Sequence, residues 1–334
     1  MKAVKLAKPG GLNNLTITQL APRQPGRGEV LVRIRASSLN YHDYLVVQGA
    51  IPATDGRIPM SDGAGEVVEV GDDVHTLAKG DKVLSLFFPN WAGGPASPND
   101  LRVVPGDSAD GFACEYVTAP AQAFTRAPTG YSDAEAATLT CAGLTAWRAL
   151  VTDGELRAGE VVLVQGTGGV SIFALQFAKA FGATVIATSS SDEKLARLQA
   201  LGADHVINYK ADPKWGQAAI DLTDGRGVDH VIEIGGGGTI GQSVAAARLG
   251  GHIAIIGVLA GYSMEMPVVA FIGKQLRVMG VSVGNRHEQQ EMIRAINANG
   301  LRPVIDSHFP LDQIADAFRH QESGRHFGKI CLDI

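Results

Sequence analysis

One segment in the middle of the chain, residues 161–171, constrains the fold more than any other. It begins with apolar β-formers, Val161 to Val164, and runs into glycines at positions 166, 168 and 169. An apolar helical pattern follows. A strand, a tight turn and a helix start together offer a pyrophosphate free backbone N–H groups and the positive end of a helix dipole. Because Ser171 replaces the third glycine of the Gly-x-Gly-x-x-Gly pattern, the surrounding segments must support this interpretation.

The segments that follow repeat the alternation of strand and helix. Short apolar runs typical of strands occur at 182–188, 205–209, 227–235, 251–257 and 275–283. A helical pattern at 192–201, preceded by serines and followed by Gly202, separates the first two of them. Strands that alternate with helices predict an α/β fold with a doubly wound parallel sheet. The alternative is a glycine turn in an unrelated α/β domain.

The end of the second predicted strand indicates which dinucleotide binds. An NAD site usually has an acidic residue there, which accepts a hydrogen bond from the ribose 2′-hydroxyl. Here the strand ends in Ser189 and Ser190, Lys194 lies one helical turn later, and Tyr209 ends the next strand. Hydroxyls and a cation favour a 2′-phosphate, which a carboxylate would repel. We therefore predict NADPH/NADP+ as the cofactor. The alternative role of the serines is helix capping, and the two roles are compatible.

The remaining cofactor contacts are predicted at the carboxyl ends of the strands, where ligands bind in open α/β sheets. These positions are Gly166, Thr167, Gly168, Gly169, Val170, Gly235, Gly257 and Val258.

Residues 1 to about 128 follow a different pattern. Runs at 29–36, 65–71 and 81–86 are typical of short strands between Gly and Asp turns. This part is therefore mainly β. A β-rich domain in front of a dinucleotide fold indicates a substrate domain.

Composition excludes several classes of protein. The net charge of −5 offers no electrostatic attraction to nucleic acid or to an anionic membrane. We find no apolar run long enough for a transmembrane helix and no signal-peptide core at the N-terminus. The three cysteines lie far apart and form no Cys-x-x-Cys site. We therefore expect a cytoplasmic protein that acts on a small-molecule substrate, with no nucleic acid or membrane partner.

Several motifs, in order along the chain, carry a family resemblance. They are Ser-Leu-Asn-Tyr-His-Asp at 38–43, Asp-Gly-Ala-Gly-Glu-Val-Val at 62–68, Gly-Leu-Thr-Ala-Trp at 143–147 and His-Phe-Gly-Lys-Ile at 326–330. With these motifs the chain resembles the medium-chain dehydrogenase/reductases, and within them the zinc-independent quinone-oxidoreductase-like and alcohol-dehydrogenase-like branch. The resemblance implies a GroES-like substrate domain at 1–128 and 284–334 and a Rossmann domain at 129–283.

The same resemblance bears on zinc. Zinc enzymes of the superfamily commonly use Cys, His and Cys as ligands. By motif these positions correspond to Asn40, Ser61 and Cys141, and the acidic neighbour of the His corresponds to Asp62. Asn and Ser oxygens are poor zinc ligands beside thiolate and imidazole. We predict no metal, with Cys141 as a small buried packing residue.

Candidate residues for chemistry lie in the segment that follows the first predicted β-run of the first domain, at 29–36. The resemblance implies that Asn40 contacts substrate or nicotinamide, and that His42 occupies a proton-relay position. The alternatives are a turn asparagine for Asn40 and an exposed helix-start histidine for His42. Tyr44 is a second candidate acid, or a core residue. Phe88 and Trp91 are predicted to line the substrate pocket from a loop, or to tuck that loop against the surface.

The resemblance also implies nicotinamide contacts from Thr145 and from Val281, Ser282 and Val283, and a phosphate contact from Lys329. It further implies a homodimer. The predicted function is hydride transfer from NADPH to an activated C=C, quinone or carbonyl. The alternatives are an NADP-dependent carbonyl reductase or alcohol dehydrogenase, and an NADPH-binding redox sensor or crystallin-like structural protein.

Overall fold

A computed structural model describes residues 1–265 and 267–334. Its strands are β1 (Lys2–Leu6), β2 (Leu15–Gln19), β3 (Glu29–Ser38), β4 (Ala64–Val70), β5 (Lys82–Ser85), β6 (Tyr116–Pro120), β7 (Phe124–Arg126), β8 (Val161–Gln165), β9 (Thr184–Ser189), β10 (His205–Asn208), β11 (Val228–Glu233), β12 (Ala247–Ile255), β13 (Arg277–Gly280), β14 (Ile305–Pro310) and β15 (Lys329–Asp333).

The α-helices are α1 (Tyr41–Val47), α2 (Asp133–Ala137), α3 (Leu144–Trp147), α4 (Gly169–Ala180), α5 (Asp192–Ala200), α6 (Trp215–Asp221), α7 (Ile240–Ala246), α8 (Val268–Lys274), α9 (Arg286–Asn299) and α10 (Ile314–Glu322). Wider π-helical turns at Leu139–Gly143 and Arg148–Thr152 flank α3. The chain divides into two compact units, Met1–Leu144 with Gly284–Ile334, and Thr145–Val283.

The second unit is built on a parallel sheet. Its described strands lie in the order β10-β9-β8-β11-β12-β13. The chain therefore starts in the middle of the sheet, builds outward in one direction and then returns to build in the other, which is the Rossmann order. This confirms the predicted doubly wound fold.

Burial explains the apolar character of these strands: β8 is apolar until its last residue, and β11 also contains the buried polar residues Asp229 and His230. Every residue of β11 is buried, and in β8 only Val161 is partly exposed. A parallel strand that is covered on both faces needs apolar side chains in both directions. The core around it includes Leu163, Ile186, Val231 and Ile253, all with no exposed surface. The polar residues that do end these strands are therefore conspicuous.

The first unit is mainly β, as predicted. Within the described residues, β14, β15, β3, β4, β5 and β7 form one sheet in that order, and β6 pairs with β3. A separate antiparallel pair joins β1 to β2. The long central strand β3 is antiparallel to β15, β4 and β6, so residues from both ends of the chain meet on it. This crossing brings the C-terminal segment beside α1.

None of the helices in residues 1–265 and 267–334 is long and apolar enough to span a bilayer.

Candidate functional site

The glycine turn after β8 has the backbone geometry that the sequence predicts. Gly166 has φ of 70°, a left-handed conformation that favours glycine, and its N–H donates to the carbonyl of Thr188 at 2.8 Å. Gly168 is the N-cap of α4, and Gly169 and Val170 form the first turn of that helix. Thr167, between the glycines, is 7% exposed. The turn therefore presents a helix N-terminus directly after the central strand.

Ser171 explains how this turn tolerates the loss of its third glycine. The side chain is fully buried, and its hydroxyl donates to the carbonyl of Gln165 at 2.6 Å. A small side chain fits the close packing of α4 against β8, and its polar atom is satisfied there. The hydroxyl links the helix back to the end of the strand.

The neighbouring strand ends carry the other predicted cofactor glycines. A Cβ at Gly257 would lie 2.2 Å from the carbonyl oxygen of Ile234, so the loops after β11 and β12 can approach only because glycine stands there. The carbonyl of Gly235 accepts a hydrogen bond from Ala260 N–H at 2.7 Å. Gly235, Gly257 and Val258 thus lie together at the carboxyl edge of the sheet.

Sequence reasoning missed the two polar residues that end β8 and β11. Gln165 and Glu233 are 5% and 0% exposed, and the amide of Gln165 donates to the carboxylate of Glu233 at 2.9 Å. The missed signal was a polar residue at the last position of a buried strand, directly or nearly directly before a glycine.

The predicted ribose edge is assembled around the end of β9. The backbone N–H of Tyr209 donates to the carbonyl of Ser189 at 3.1 Å, so Tyr209 lies beside the end of β9. Ser190 is half-buried and Tyr209 is 40% exposed. Ser191 is the N-cap of α5, and its hydroxyl accepts from the N–H of Lys194. Of the three serines at 189–191, Ser191 therefore caps the helix, while Lys194 lies in its first turn.

Asp192, the carboxylate nearest this edge, has a partner. The amide of Asn208 donates to it at 2.6 Å. Asn208 is the last residue of β10, and its side-chain oxygen Oδ1 accepts from Lys210 N–H at 3.1 Å. The hydrogen bond holds the carboxylate against β10.

The residues predicted to approach nicotinamide lie at the borders of the second unit. Thr145 is 3% exposed on α3. Beyond β13, Val281 donates its N–H to Ile255, Ser282 is exposed, and Val283 has φ of 48°. A β-branched residue in the left-handed region is unusual and strained, and such strain is concentrated at functional sites.

In the first unit, Asn40 occupies the centre of a buried polar network. Its side-chain amide donates to the hydroxyl of Ser61 at 3.2 Å, and its carbonyl oxygen accepts from the ammonium of Lys329 at 2.6 Å. That ammonium also donates to the carbonyl of Leu39 at 2.6 Å. The two hydrogen bonds fix which way the Asn40 amide faces. For Lys329 the structure shows a different environment from the predicted cofactor phosphate: its side chain is 4% exposed and its ammonium lies in this network.

Asp62 lies beside the same ammonium. Its carboxylate is 3.7 Å from Lys329 Nζ and accepts from Ser38 at 2.7 Å, while its Oδ1 has no hydrogen-bond partner among the residues that the structure describes. Burial raises the pKa of Asp62 to about 6, against the opposing effect of Lys329. The structure therefore contains a buried lysine–carboxylate pair that the sequence analysis did not predict.

The donor set here does not suit zinc. Asn40 Oδ1 already accepts from a cationic ammonium, and Ser61 offers a neutral hydroxyl. Neither resembles the thiolate and imidazole ligands of a tetrahedral zinc site. Cys141 lies in a π-helical turn and is partly exposed, which corrects its prediction as a buried packing residue. Over the described residues, no group of three or more His, Cys, Asp or Glu side chains is arranged to hold a metal ion.

His42 lies between two carboxylates. Its Nδ1 is 3.7 Å from Asp43 and its Nε2 is 3.5 Å from Asp107, with the side chain 21% exposed. Burial lowers the pKa of His42, but Asp43 and Asp107 outweigh burial and the net pKa is raised. Asp43 itself accepts from the backbone N–H groups of Asn40 and Ser61 at 3.0 and 2.8 Å. It therefore holds the start of α1 against the segment that contains Ser61.

Tyr44, the second candidate acid, faces another carboxylate. Its hydroxyl donates to Glu322 at 2.9 Å, near the surface. Burial and this hydrogen bond raise the pKa of Tyr44. A phenol whose proton is held by a carboxylate is less suited to donate that proton than the histidine is.

The aromatic loop is buried. Phe88 and Trp91 are 5% and 3% exposed, and the ring of Phe87 makes edge contacts with both His42 and Phe88. The carbonyl of Trp91 accepts from Arg286 N–H at 3.0 Å, which ties the loop to the start of α9. The aromatic cluster therefore forms a rigid apolar wall beside His42.

Comparisons with known proteins identify the family of the chain. The family model of the alcohol dehydrogenase GroES-like domain matches residues 26–129, and that of zinc-binding dehydrogenases matches residues 169–298. A zinc-type alcohol dehydrogenase-like protein of Schizosaccharomyces pombe is 42% identical over 321 residues, which is 94% of this chain and 93% of that protein.

Two similar solved structures differ in the cofactor that they name. An NAD-dependent alcohol dehydrogenase has a TM-score of 0.90 at 33% identity and covers 100% of both chains. A mycobacterial protein complexed with NADPH has a TM-score of 0.83 at 27% identity and also covers 100% of both chains. The likeness therefore extends over the whole length, and the choice of cofactor has to be argued from the residues of this chain.

Proposed function

The chain belongs to the medium-chain dehydrogenase/reductase superfamily and is an oxidoreductase of its alcohol dehydrogenase-like type, and on this premise we propose that it reduces activated substrates with NADPH and without zinc. The substrates are activated C=C compounds, quinones or activated carbonyls. The observation that carries the proposal is the contact between the Lys329 ammonium and Asn40 Oδ1 at 2.6 Å. The ammonium of Lys329 already binds the side-chain oxygen of Asn40, the residue that corresponds to a zinc ligand.

NADPH, when bound, supplies the hydride. Without a Lewis acid, the carbon of the substrate that accepts this hydride must already be electrophilic. The chain contributes hydrogen-bond donors. The Asn40 amide donates to Ser61, and its orientation is fixed from the other side by Lys329. His42, whose pKa is raised by two carboxylates, supplies the proton that completes the reduction.

The ribose edge supports NADPH over NADH. Ser190, Lys194 and Tyr209 would hold a 2′-phosphate, since two of them offer hydroxyl donors and one a positive charge. The nearest carboxylate, that of Asp192, is hydrogen-bonded by Asn208.

The test is a panel of quinones, enones, aldehydes and alcohols, assayed with NADPH and with NADH. We expect turnover with NADPH on the quinones or enones, and about a tenfold loss of NADPH affinity in Lys194→Ala with no change for NADH. Arg197→Ala, one helical turn further along α5, is the matched control. Equal binding of both cofactors by the wild type, or unchanged NADPH affinity in Lys194→Ala, would contradict the cofactor assignment.

A second candidate is a carbonyl reductase or alcohol dehydrogenase, which the S. pombe relative and the NAD-dependent structural neighbour favour by their names. Turnover confined to aldehydes, ketones and secondary alcohols would select it. Loss of activity to a chelator, with stoichiometric zinc in the purified protein, would overturn the metal-free mechanism. Tight NADPH binding with no turnover on any substrate would instead indicate a cofactor-binding sensor.

We also propose a homodimer. The helix α8 exposes an apolar patch, made of Val268, Val269 and Ile272, which are 61%, 85% and 71% exposed. Such a patch is rare on a monomer, and β13 beside it ends the described sheet. Light scattering should show a dimer that Val269→Glu converts to a monomer, while Leu222→Glu, directly after α6 and toward the other edge of the sheet, leaves it unchanged. A monomeric wild type would contradict the proposal.

A further inference from the structure

The strand order of the second unit identifies where its two halves diverge. The chain leaves β8 toward β9 and β10, and later returns to β11 on the other side of β8. The carboxyl ends of β8 and β11 therefore border the crevice in which open α/β sheets bind their ligands. Gln165 and Glu233 are the last residues of these two strands.

Glu233 organises the loop that follows it. One carboxylate oxygen accepts from the N–H groups of Gly235 and Gly236, at 2.7 and 2.9 Å, and from the hydroxyl of Thr239. The other accepts from Gln165 and from the hydroxyl of Ser243 on α7. The donors are all neutral, so the negative charge is stabilised by dipoles that converge on it rather than by an ion pair.

Gln165 completes the link across the crevice. Its amide nitrogen donates to Glu233 and to Ser243 at 2.9 and 2.7 Å, and its amide oxygen accepts from the N–H of Ile234 at 3.3 Å. Its backbone carbonyl accepts from Ser171, in the first turn of α4. One residue is thus bonded both to the glycine loop after β8 and to the loop after β11.

We propose that Gln165 and Glu233 form a clamp that sets the spacing of the two loops and so positions the dinucleotide. They are positioning residues, since they are buried and act through the backbone of Gly235 and Gly236. This inference rests on the proposed function, because it assumes that a dinucleotide binds at these loops. It adds to that function two residues on which cofactor affinity depends.

The chemistry of the clamp makes it sensitive to a conservative change. In Glu233→Gln, the new amide nitrogen would face either the amide nitrogen of Gln165 or the N–H groups of Gly235 and Gly236, and each orientation places donors together. Rotating the Gln165 amide would remove the first conflict but would turn its nitrogen toward the N–H of Ile234. Each arrangement leaves a buried donor unsatisfied, which favours a changed loop geometry.

The test measures NADPH and NADH dissociation constants of the full chain by titration, without substrate. Glu233→Gln should weaken both cofactors about tenfold or more, because the clamp acts on the loops and not on the ribose edge. Asp229→Asn is the matched control. Asp229 lies on the same strand, is 1% exposed and accepts from Val161 N–H and Arg226, but it lies near the opposite end of β11. It should lower thermal stability and leave cofactor affinity within about twofold.

A double variant separates positioning from general damage. In Gln165→Glu/Glu233→Gln the carboxylate and the amide exchange places, so that residue 165 accepts from Ile234 N–H and from the new amide. We expect cofactor affinity to return to within about threefold of the wild type. If Glu233→Gln does not fold, Gln165→Met removes the same link and should weaken both cofactors.

Unchanged cofactor affinity in Glu233→Gln, or an equal loss in Asp229→Asn, would overturn the clamp. Failure of the double variant to recover affinity would also contradict it. These outcomes differ from a failure of the proposed function, in which the wild type binds neither dinucleotide.

Discussion

The two units each bury a carboxylate, and the two are stabilised in opposite ways. Glu233 is surrounded by neutral donors that satisfy both of its oxygens. Asp62 faces a lysine ammonium at 3.7 Å, and one of its oxygens has no hydrogen-bond partner among the described residues. Both carboxylate oxygens of Glu233 are therefore hydrogen-bonded, whereas Oδ1 of Asp62 has no partner among the described residues. Polar atoms of that kind are characteristic of sites where chemistry takes place.

The origin of the two networks differs as well. The Glu233 network joins the ends of adjacent strands in a regular sheet. The Asn40 network joins residues that are 289 positions apart, Asn40 and Lys329. A contact between the ends of neighbouring strands follows from the order of strands in the sheet. The Asn40 network instead depends on the pairing of β3 with β15, which lies far away in the sequence. Its disruption should therefore have the larger effect.

The largest expected effect is that of Lys329→Met. The substitution keeps most of the side-chain volume but leaves Asp62 as a buried carboxylate without its cation, and it frees Asn40 Oδ1. We expect a loss of about 3–5 kcal/mol in the free energy of unfolding, together with most of the activity. Urea unfolding and steady-state kinetics measure the two losses.

The control for this variant is Lys82→Met. Lys82 lies 3.4 Å from Glu66 with half of its side chain exposed, so the same substitution at a surface pair should cost less than about 1 kcal/mol. Equal losses in the two variants would show that the buried pair has no special role in the first unit.

The next largest expected effect is a pH dependence of stability that comes from Asp62. The pKa of Asp62 is raised to about 6 from 3.8, so between these values the folded state binds more protons than the unfolded state. Stability contributed by the protonated form is present below pH 3.8 and is lost as the pH rises through 6. Relative to Asp62→Asn, the wild type should lose on the order of 3 kcal/mol between pH 4 and pH 7.

The measurement is the difference between the two proteins in urea unfolding at each pH. A difference is needed because His252 acts in the opposite direction. Burial, His230 and Arg277 lower the pKa of His252 to about 4, so its contribution to stability is lost as the pH falls below 6.5. Parallel pH curves for wild type and Asp62→Asn would contradict the assignment of the titration to Asp62.

The smallest expected effect is at the glycine turn of the second unit. Ser171→Ala removes the hydrogen bond to the carbonyl of Gln165 but keeps the small side chain. We expect about 1 kcal/mol less stability and less than about a threefold loss of NADPH affinity. Thermal unfolding and cofactor titration test this, with Ser243→Ala, at the other end of the clamp, for comparison. A loss of affinity larger than that of Glu233→Gln would reverse the ranking of these contacts.

Much of the second unit could be predicted because its signals are local. The alternation of apolar runs and helices, the glycine turn and the serine strand end all lie within short segments, and the observed order of strands follows from them. Gln165 and Glu233 are polar residues at or near the ends of predicted strands, a local signal that the sequence analysis did not use. Their hydrogen bond to each other was not predictable without knowing that β8 and β11 are neighbours.

The first unit was less predictable for a physical reason. The motifs at 38–43, 62–68 and 326–330 indicated the family, yet nothing in their spacing showed that Lys329 would lie against Asn40 and Asp62. The aromatic loop was likewise predicted as a pocket wall or a tucked surface loop, and only the structure shows that its aromatic side chains are buried and that Phe87 contacts His42.

By itself, the sequence determined the doubly wound sheet, the glycine turn and the β-rich character of the first unit, since backbone conformation and strand burial follow from the pattern of nearby side chains. Only the tertiary structure decided which buried charges meet. The energy of a buried ion pair or hydrogen bond depends on distance and on the exclusion of water. Those quantities arise only when remote segments, such as α1 and β15, pack against the same strand.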